Sequence, residues 1–206
     1  MEDFDTIIGK LFPLLFSMMG PIGVIPTFAG LTAKMDQPTR NKVAWRATCL
    51  ALAALTIAVV LGAGVLQGWG VAPSSLIIAA GLIMTSSVLK TMLFGGEHGS
   101  SGAHAPRRPE DIAVSPLAFP TMVSPHGIGV LIIFVAFFPS WEAKLAMLAV
   151  ALLIMVMNLG AMRMAHWFMA KVGMVPLIVL GAVFGVLQVA LGIQIIASGL
   201  TRSMAP

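Results

Sequence analysis

The sequence predicts an all-α membrane protein with six transmembrane helices, arranged as two inverted three-helix repeats whose first and fourth helices are broken. Three observations predict this fold. The 206-residue chain is 58% hydrophobic and only 10% charged, whereas soluble domains have about 25% charged residues. Six apolar runs are long enough to cross a bilayer. The two halves of the chain also share glycine and proline positions at a fixed offset, which is typical of an internal repeat.

The six apolar runs each have roughly the 20 residues that a helix needs to cross a hydrocarbon core about 30 Å thick. None has Asp or Glu in its interior. The runs are Leu11–Ala33, Ala44–Leu66, Ser75–Phe94, Ile112–Phe138, Lys144–Met162 and Met174–Leu200. A segment rich in Gly, Ser and Pro separates the third run from the fourth, as a linker does. This predicts a first repeat at 1–96, a cytoplasmic linker at 97–111 and a second repeat at 112–206.

Lysine and arginine in the connections predict the orientation of the chain. With the N-terminus outside, nine of them fall on the inner side and three on the outer side, as the positive-inside rule requires. The tryptophans agree, since Trp45 and Trp167 fall at the inner interface and Trp69 and Trp141 at the outer one. We therefore expect a bacterial inner-membrane protein with periplasmic N- and C-termini. The net charge of +4 is spread over loops and predicts no nucleic-acid surface.

The internal repeat appears when the second half of the chain is shifted by 104 residues onto the first. A Ser/Thr-Met-x-x-Pro-x-Gly frame then occurs in both halves. The matched pairs are Ser17 with Thr121, Met18 with Met122, Pro21 with Pro125, Gly23 with Gly127, Gly81 with Gly185 and Gly95 with Gly199. Because each repeat holds three spans, the second copy enters the membrane from the opposite side, as in many secondary transporters.

Helix-breaking residues interrupt the first span in "SMMGPIGVIPTF" and the fourth span in "TMVSPHGIG". Backbone without hydrogen bonds is tolerated in a membrane only where it is buried in protein or lines a cavity. Freed N–H groups suit a carboxylate and freed carbonyls suit a cation, so paired breaks favour a zwitterion. The predicted substrate-binding residues are Ser17, Met18, Gly20, Pro21, Gly23, Thr121, Met122, Ser124, Pro125, His126 and Gly127. Alternatively, these residues only kink two packed helices.

Polar side chains within the spans were weighed in the same way. His126 is the only titratable side chain at a break, where it would contact substrate, couple protons or bond to a freed carbonyl. Together with Ser124 it does not predict a catalytic pair, because no span holds a carboxylate to orient the histidine. We expect no enzyme activity. Asn158, Gln188 and Gln194 predict hydrogen bonds between helices or a cavity lining.

The sequence predicts no cofactor and no metal site. Its single cysteine, Cys49, is interpreted as a small buried residue. His98 and His104 lie in the linker with too few further ligands for a metal ion. The expected partners are the lipid bilayer, a small-molecule substrate and, for coupling, H⁺ or Na⁺. The pattern carries no signal for an oligomeric state.

Four stretches of the chain read "MGPIGVIPTFAGLT", "LIIAAGLIMTSSVLKTMLFG", "EDIAVSPLAFPTMVSPHGIGVLI" and "VALGIQIIASGL". They resemble the MarC family of bacterial inner-membrane proteins, which includes small neutral amino-acid transporters. The likeness covers Leu11 to Leu200. It implies a six-span fold of two inverted repeats that transports a small neutral amino acid, with a coupled ion.

The chain departs from that family's pattern at both breaks and in two further spans. Gly20 stands where the family usually has Asn, and "SPHG" at 124–127 replaces a Gly-Pro-Gly pattern. Ile77 and Ala182 occupy positions where many members carry Arg. The paired breaks and the resemblance together predict a transporter of small neutral amino acids or similar zwitterions. A non-transporting scaffold or regulatory protein of the same fold is the alternative.

Overall fold

The computed structural model describes residues 2–93 and 108–204, which form helices and short connections and contain no β-strand. The helices are α1 (Glu2–Met19), α2 (Pro21–Leu31), α3 (Gln37–Gly68), α4 (Pro73–Leu93), α5 (Pro109–Ile112), α6 (Pro125–Phe137), α7 (Trp141–Val172) and α8 (Met174–Met204). An irregular, wide-turned helical stretch at 113–122 joins α5 to α6. The predicted linker up to residue 107, with Gly95, His98 and His104, lies outside the described residues.

Five helical segments among the described residues are long and apolar enough to cross a membrane. They are Leu11–Leu31, which combines parts of α1 and α2, together with α3, α4, α7 and α8. A sixth span results if Pro109–Met122 and Pro125–Phe137, which meet at an angle of 59°, are counted as one. The prediction of an all-helical protein with several apolar spans is confirmed. The helices α3 and α7 have 32 residues each, or about 48 Å of helix, and so exceed the predicted spans.

The centre of the molecule is built around α7. This helix packs against α1, α2 and α3, and α3 in turn packs against the 113–122 stretch and α6. Both long helices bury residues at spacings of three and four, the period of one helix face. On α7 these are Ala143, Ala146, Met147, Val150, Ala151, Ile154, Met155, Asn158, Leu159, Met162 and Ala165. Many of them are small, which lets neighbouring backbones come close.

A second pair, α4 and α8, packs antiparallel at the side of this core. Gly185, Gly192 and Gly199 recur every seven residues on α8 and are buried. A Cβ atom at Gly192 would contact the Thr85 hydroxyl, and one at Gly199 would lie 2.6 Å from Ile78 Cγ1. Small residues allow helices to approach closely where lipid supplies no hydrophobic driving force between them. These glycines therefore set the close approach of the pair.

The outer surface of the helices is apolar, as expected in lipid. Val175 is 70% exposed and Ile178 is 61% exposed on α8. Exposed apolar surface of this kind is unusual for a soluble monomer. Cys49 also belongs to this outer surface, because it is exposed on α3. The interpretation of Cys49 as buried was wrong, since a helix that is apolar all round does not show which face turns inward.

Side-chain contacts fix which helix ends lie together. At one end Thr32 Oγ1, after α2, lies 3.0 Å from His166 Nε2 on α7. At the same end Arg46 on α3 forms an ion pair of 2.8 Å with Glu110 on α5. The Arg202 guanidinium lies over the ring of Phe137, 4.6 Å from its centroid, at the opposite end. Within 2–93 and within 108–204, connections of a few residues join consecutive helices.

We expect Gly192→Leu to destabilise the protein, because its side chain would have to displace Thr85 and the neighbouring α4 backbone. Overpacking of this kind costs about 1–3 kcal/mol. Thermal unfolding of the purified protein in one detergent measures the effect. The matched control is Gly181→Leu on the same helix, since Gly181 is exposed and a Cβ atom there would meet nothing within 4 Å. Equal melting temperatures for the two variants would contradict this account of the α4–α8 pair.

Candidate functional site

The first break is a single extended residue between two helices. Gly20 has φ −76° and ψ 174°, after which α2 begins with Pro21. A proline has no N–H, so the carbonyl four residues earlier, that of Ser17, loses its helical donor. A Cβ atom on Gly20 would collide with the Phe16 carbonyl oxygen. The chain therefore needs glycine here in this conformation, which explains why it does not carry the asparagine of the related pattern.

Two amide side chains supply donors to the carbonyls of this break. Asn158 Nδ2 on α7 donates to the Met19 carbonyl at 2.7 Å. Gln188 Nε2 on α8 donates to the Ser17 carbonyl and lies 3.3 Å from the Ser17 hydroxyl. Asn158 is fully buried. The prediction of hydrogen bonds between helices is therefore confirmed for both residues, and both belong to the site although they are absent from the predicted set.

The second break is longer and bent more sharply. Within the 113–122 stretch, Ser115 and Phe119 have extended backbone angles. Val123 and Ser124 are also extended, and α6 then begins with Pro125. The disruption therefore extends further toward the N-terminus than the predicted break at Pro125. Pro116 and Pro120 carry the signal for it in the sequence.

The start of α6 is capped from within the break. Ser124 Oγ accepts a hydrogen bond from the Gly127 N–H at 3.3 Å, and the Ser124 carbonyl accepts one from the Ile128 N–H at 3.1 Å. A serine at this position satisfies one of the N–H groups that a helix start leaves without a partner. Since the serine oxygen is the acceptor, its own hydroxyl proton is available to a further acceptor.

The two breaks touch. A Cβ atom on Gly127 would contact the Met19 methyl group and lie 3.1 Å from Met19 Cγ. The side chain of the residue before the first break thus lies against the first turn of α6. Only glycine at 127 leaves room for this approach. Gly23, its partner at the 104-residue offset, is different, because a Cβ atom there would meet nothing within 4 Å.

His126 lies in the first turn of α6 and is only 8% exposed. Neither of its ring nitrogens has a hydrogen-bond partner among residues 2–93 and 108–204. It therefore does not bond to a freed carbonyl within that part of the chain. Ser124 and His126 also do not bond to each other there, so no nucleophile–base pair is assembled. A buried imidazole without partners is costly and suits a group that a bound molecule or water would satisfy.

The predicted site residues divide into a buried group and a more accessible group. The more accessible group contains one exposed residue, Pro125, and four half-buried residues, Ser17, Pro21, Gly23 and Thr121. The buried members are Met18, Gly20, Met122, Ser124, His126 and Gly127. The contact between Met19 and Gly127 brings the two breaks together. The described side chains add Met19, Asn158 and Gln188 to the residues that sequence reasoning had selected.

Two grooves flank the first break. The first, about 460 Å³, runs between α1 and α8 and is lined by Ser17, Leu187 and Gln194, among others. The second, about 400 Å³, is lined by Pro21 and by residues of α7 and α8 such as Met157 and Leu177. Both are largely apolar. Among the described residues Gln194 does not form the expected hydrogen bond between helices, and it lines the first groove instead, which was the alternative.

Comparison with known proteins gives the family. The profile described as MarC family integral membrane protein matches residues 5–204. The chain belongs to the MarC family. It is 28% identical to the Escherichia coli UPF0056 membrane protein YhcE over 93% of this chain and 90% of that protein. It is 26% identical to the Salmonella typhimurium UPF0056 inner membrane protein MarC over 97% of this chain and 96% of that protein. No solved structure matches the chain.

Membership in the MarC family and the apolar helices together make the chain a multi-pass integral membrane protein, and relatives are named as inner-membrane proteins. The two positions where MarC proteins were expected to carry arginine lie in different surroundings. Ile77 on α4 is buried, and a Cβ atom at Gly199 would lie 3.1 Å from its Cγ2. Ala182 on α8 is exposed. In this MarC protein both positions belong to the α4–α8 pair and neither carries a charge.

We expect Gln188→Leu to lower the melting temperature, because it leaves the Ser17 carbonyl without its donor. An unsatisfied buried acceptor costs about 1–3 kcal/mol. The control is Gln194→Leu, which makes the same apolar exchange on the same helix at an exposed position. Thermal unfolding in a single detergent compares the two variants. A Gln188→Leu protein as stable as the control would show that the bond to Ser17 does not support the first break.

Proposed function

We propose that this MarC protein is a secondary transporter of small neutral amino acids or similar small zwitterions, built from two inverted repeats. The observation that carries the proposal is the contact of Met19 with Gly127, which joins the two interrupted helices. Interrupted helices at corresponding places in two halves are the arrangement in which transporters bind substrate near the membrane midplane. The proposal includes no catalytic step and no cofactor.

The packing of the helices supports an inverted repeat. The broken first span, α1 and α2, packs against α7, while the 113–122 stretch and α6 pack against α3. When the two halves are aligned, α3 corresponds to α7, so each broken span packs against the helix that follows the other broken span. The helices α3 and α7 have equal lengths, and α4 packs antiparallel on its counterpart α8. Such exchange is what a two-fold axis in the membrane plane would produce.

The absence of Asp and Glu from the interior of every predicted span argues against a substrate with net positive charge. A substrate with net charge would need an opposite charge in the low-dielectric interior. A zwitterion instead needs main-chain dipoles of both signs, which helix ends provide. Since no predicted span has a carboxylate in its interior to carry a proton, coupling to H⁺ would involve His126, and coupling to Na⁺ would involve main-chain oxygens.

A non-transporting scaffold or regulatory protein of the same fold is the second candidate. The largely apolar lining of both grooves favours it, because such grooves also suit lipid chains or a partner helix. The two candidates differ in one respect, because only a transporter moves solute across a lipid bilayer in which it is the sole protein.

We expect proteoliposomes with the purified protein to take up labelled glycine, alanine or serine above the level of empty liposomes. Gly127→Leu should abolish uptake, because its side chain would push Met19 out of the contact between the breaks. Gly181→Leu, an exposed position on α8, should retain it. A folded and inserted wild-type protein that moves none of the three amino acids would contradict transport and favour the scaffold.

We also propose that both termini lie in the periplasm, as the lysine and arginine count predicts. The test uses single cysteines in a Cys49→Ser background and a maleimide that does not cross membranes. In intact cells with a permeabilised outer membrane, Ala72→Cys should be labelled and Lys34→Cys should be protected until the inner membrane is opened. Both positions are exposed in short connections. The reverse pattern would invert the orientation.

A further inference from the structure

The two breaks differ in how their freed carbonyls are satisfied. At the first break, Asn158 and Gln188 donate to the carbonyls of Met19 and Ser17. The residues at the 104-residue offset from these amides are Ala54 and Met84, whose side chains have no hydrogen-bond donor. The second break therefore lacks the equivalent amide donors already at the level of the sequence.

The carbonyls that correspond to Ser17 and Met19 at the second break are those of Thr121 and Val123. Pro125 removes the helical donor of Thr121, as Pro21 does for Ser17. Among the described residues, no side chain donates a hydrogen bond to either carbonyl, and the Val123 carbonyl, which lies outside the helices, accepts none from the backbone. Neither acceptor therefore receives an amide donor of the kind that Asn158 and Gln188 supply at the first break, which suits an external donor such as an ammonium group.

The same break also has unused donors. The hydroxyl proton of Ser124 is available because its oxygen serves as the acceptor for Gly127. Whichever ring nitrogen of His126 carries the proton has no acceptor within the described ranges, and the ring is more than nine-tenths buried. Donors in the first turn of a helix add to the favourable dipole there for an anion. This helix has 13 residues.

We infer that the second break alone holds the zwitterion, while the first break is held fixed by α7 and α8. Ser124 and His126 take the carboxylate, and the carbonyls of Thr121 and Val123 take the ammonium group. The inference rests on the proposed transport of a zwitterion. It adds that the two halves have different roles, one binding the substrate and the other supporting the structure. His126 thereby becomes the residue that selects for a carboxylate in a chain without arginine at Ile77 and Ala182.

The test measures thermal stabilisation of the purified full-length protein, since a ligand that binds only the folded state raises its melting temperature. The probes are glycine, alanine and serine, with methylamine and acetate as analogues that lack one charged group. The amino acid with the largest effect on the wild type is titrated against the variants. We expect it to stabilise the wild type, while methylamine and acetate do not.

The variants separate binding from support. His126→Leu should weaken the apparent affinity by at least about tenfold, the effect of losing one hydrogen bond to a charged group. His126→Gln, which keeps an N–H donor, should lose less. His166→Gln is the control, because His166 lies on α7 with Thr32 as its partner and should leave affinity unchanged. Asn158→Leu should lower the melting temperature of the free protein yet keep the ligand-induced shift.

The outcomes distinguish the two proposals. A wild type that none of the three amino acids stabilises, and that transports none of them, overturns the proposed function and this inference with it. A wild type that binds an amino acid with the same affinity as His126→Leu overturns only the inference. Loss of binding in Asn158→Leu, with binding kept in the His126 variants, would assign the substrate to the first break instead.

Discussion

A carbonyl that loses its helical donor inside a membrane must find another, because lipid offers none. Pro21 and Pro125 each create this need in the middle of a span. At Pro21 the need is met by Asn158 and Gln188 from two other helices, and meeting it ties α1, α7 and α8 together. The arrangement of helices around the first break follows from this requirement, since an amide can reach those carbonyls only from adjacent helices.

The break at Pro125 is built differently, although both breaks derive from the same sequence frame. It has a serine cap and a longer irregular approach through residues 113–122, and its neighbours at the offset positions are apolar. The two halves thus share the glycine and proline positions that interrupt their first spans, while the side chains that pack against these interruptions differ. The contact of Met19 with Gly127 brings the first break, whose carbonyls are hydrogen-bonded by α7 and α8, against the start of α6.

Much of this architecture could be predicted because the signals are local. The runs Ala44–Leu66, Lys144–Met162 and Met174–Leu200 fall within α3, α7 and α8. The predicted start of the first span at Leu11 coincides with that of the first segment able to cross a membrane. The positions of both breaks follow from Pro21 and Pro125, since proline removes a donor wherever it lies in a helix. The extent of the second disruption was missed because the predicted break began at Thr121, and Pro116 and Pro120 were not interpreted as further interruptions.

The contacts across the molecule could not be predicted in the same way. Asn158 and its partner Met19 are separated by many residues and three intervening spans, and a polar residue in an apolar run does not indicate its partner. Cys49 was misplaced because lipid-exposed and buried faces of α3 are equally apolar, which removes the periodicity that marks the inner face of a soluble helix. For the same reason the sequence could not show that α8 lies at the periphery.

The seven-residue spacing of Gly185, Gly192 and Gly199 gives α8 a repeating groove that would look nearly the same after a slide of two turns, about 10 Å along its axis. Shape alone thus leaves the position of this helix along α4 ambiguous. Gln188 removes the ambiguity, because only one register lets its amide reach Ser17. The one-residue connection at Gly173 ties the start of α8 to α7, and this single polar side chain fixes the position of α8 at a second point along the helix.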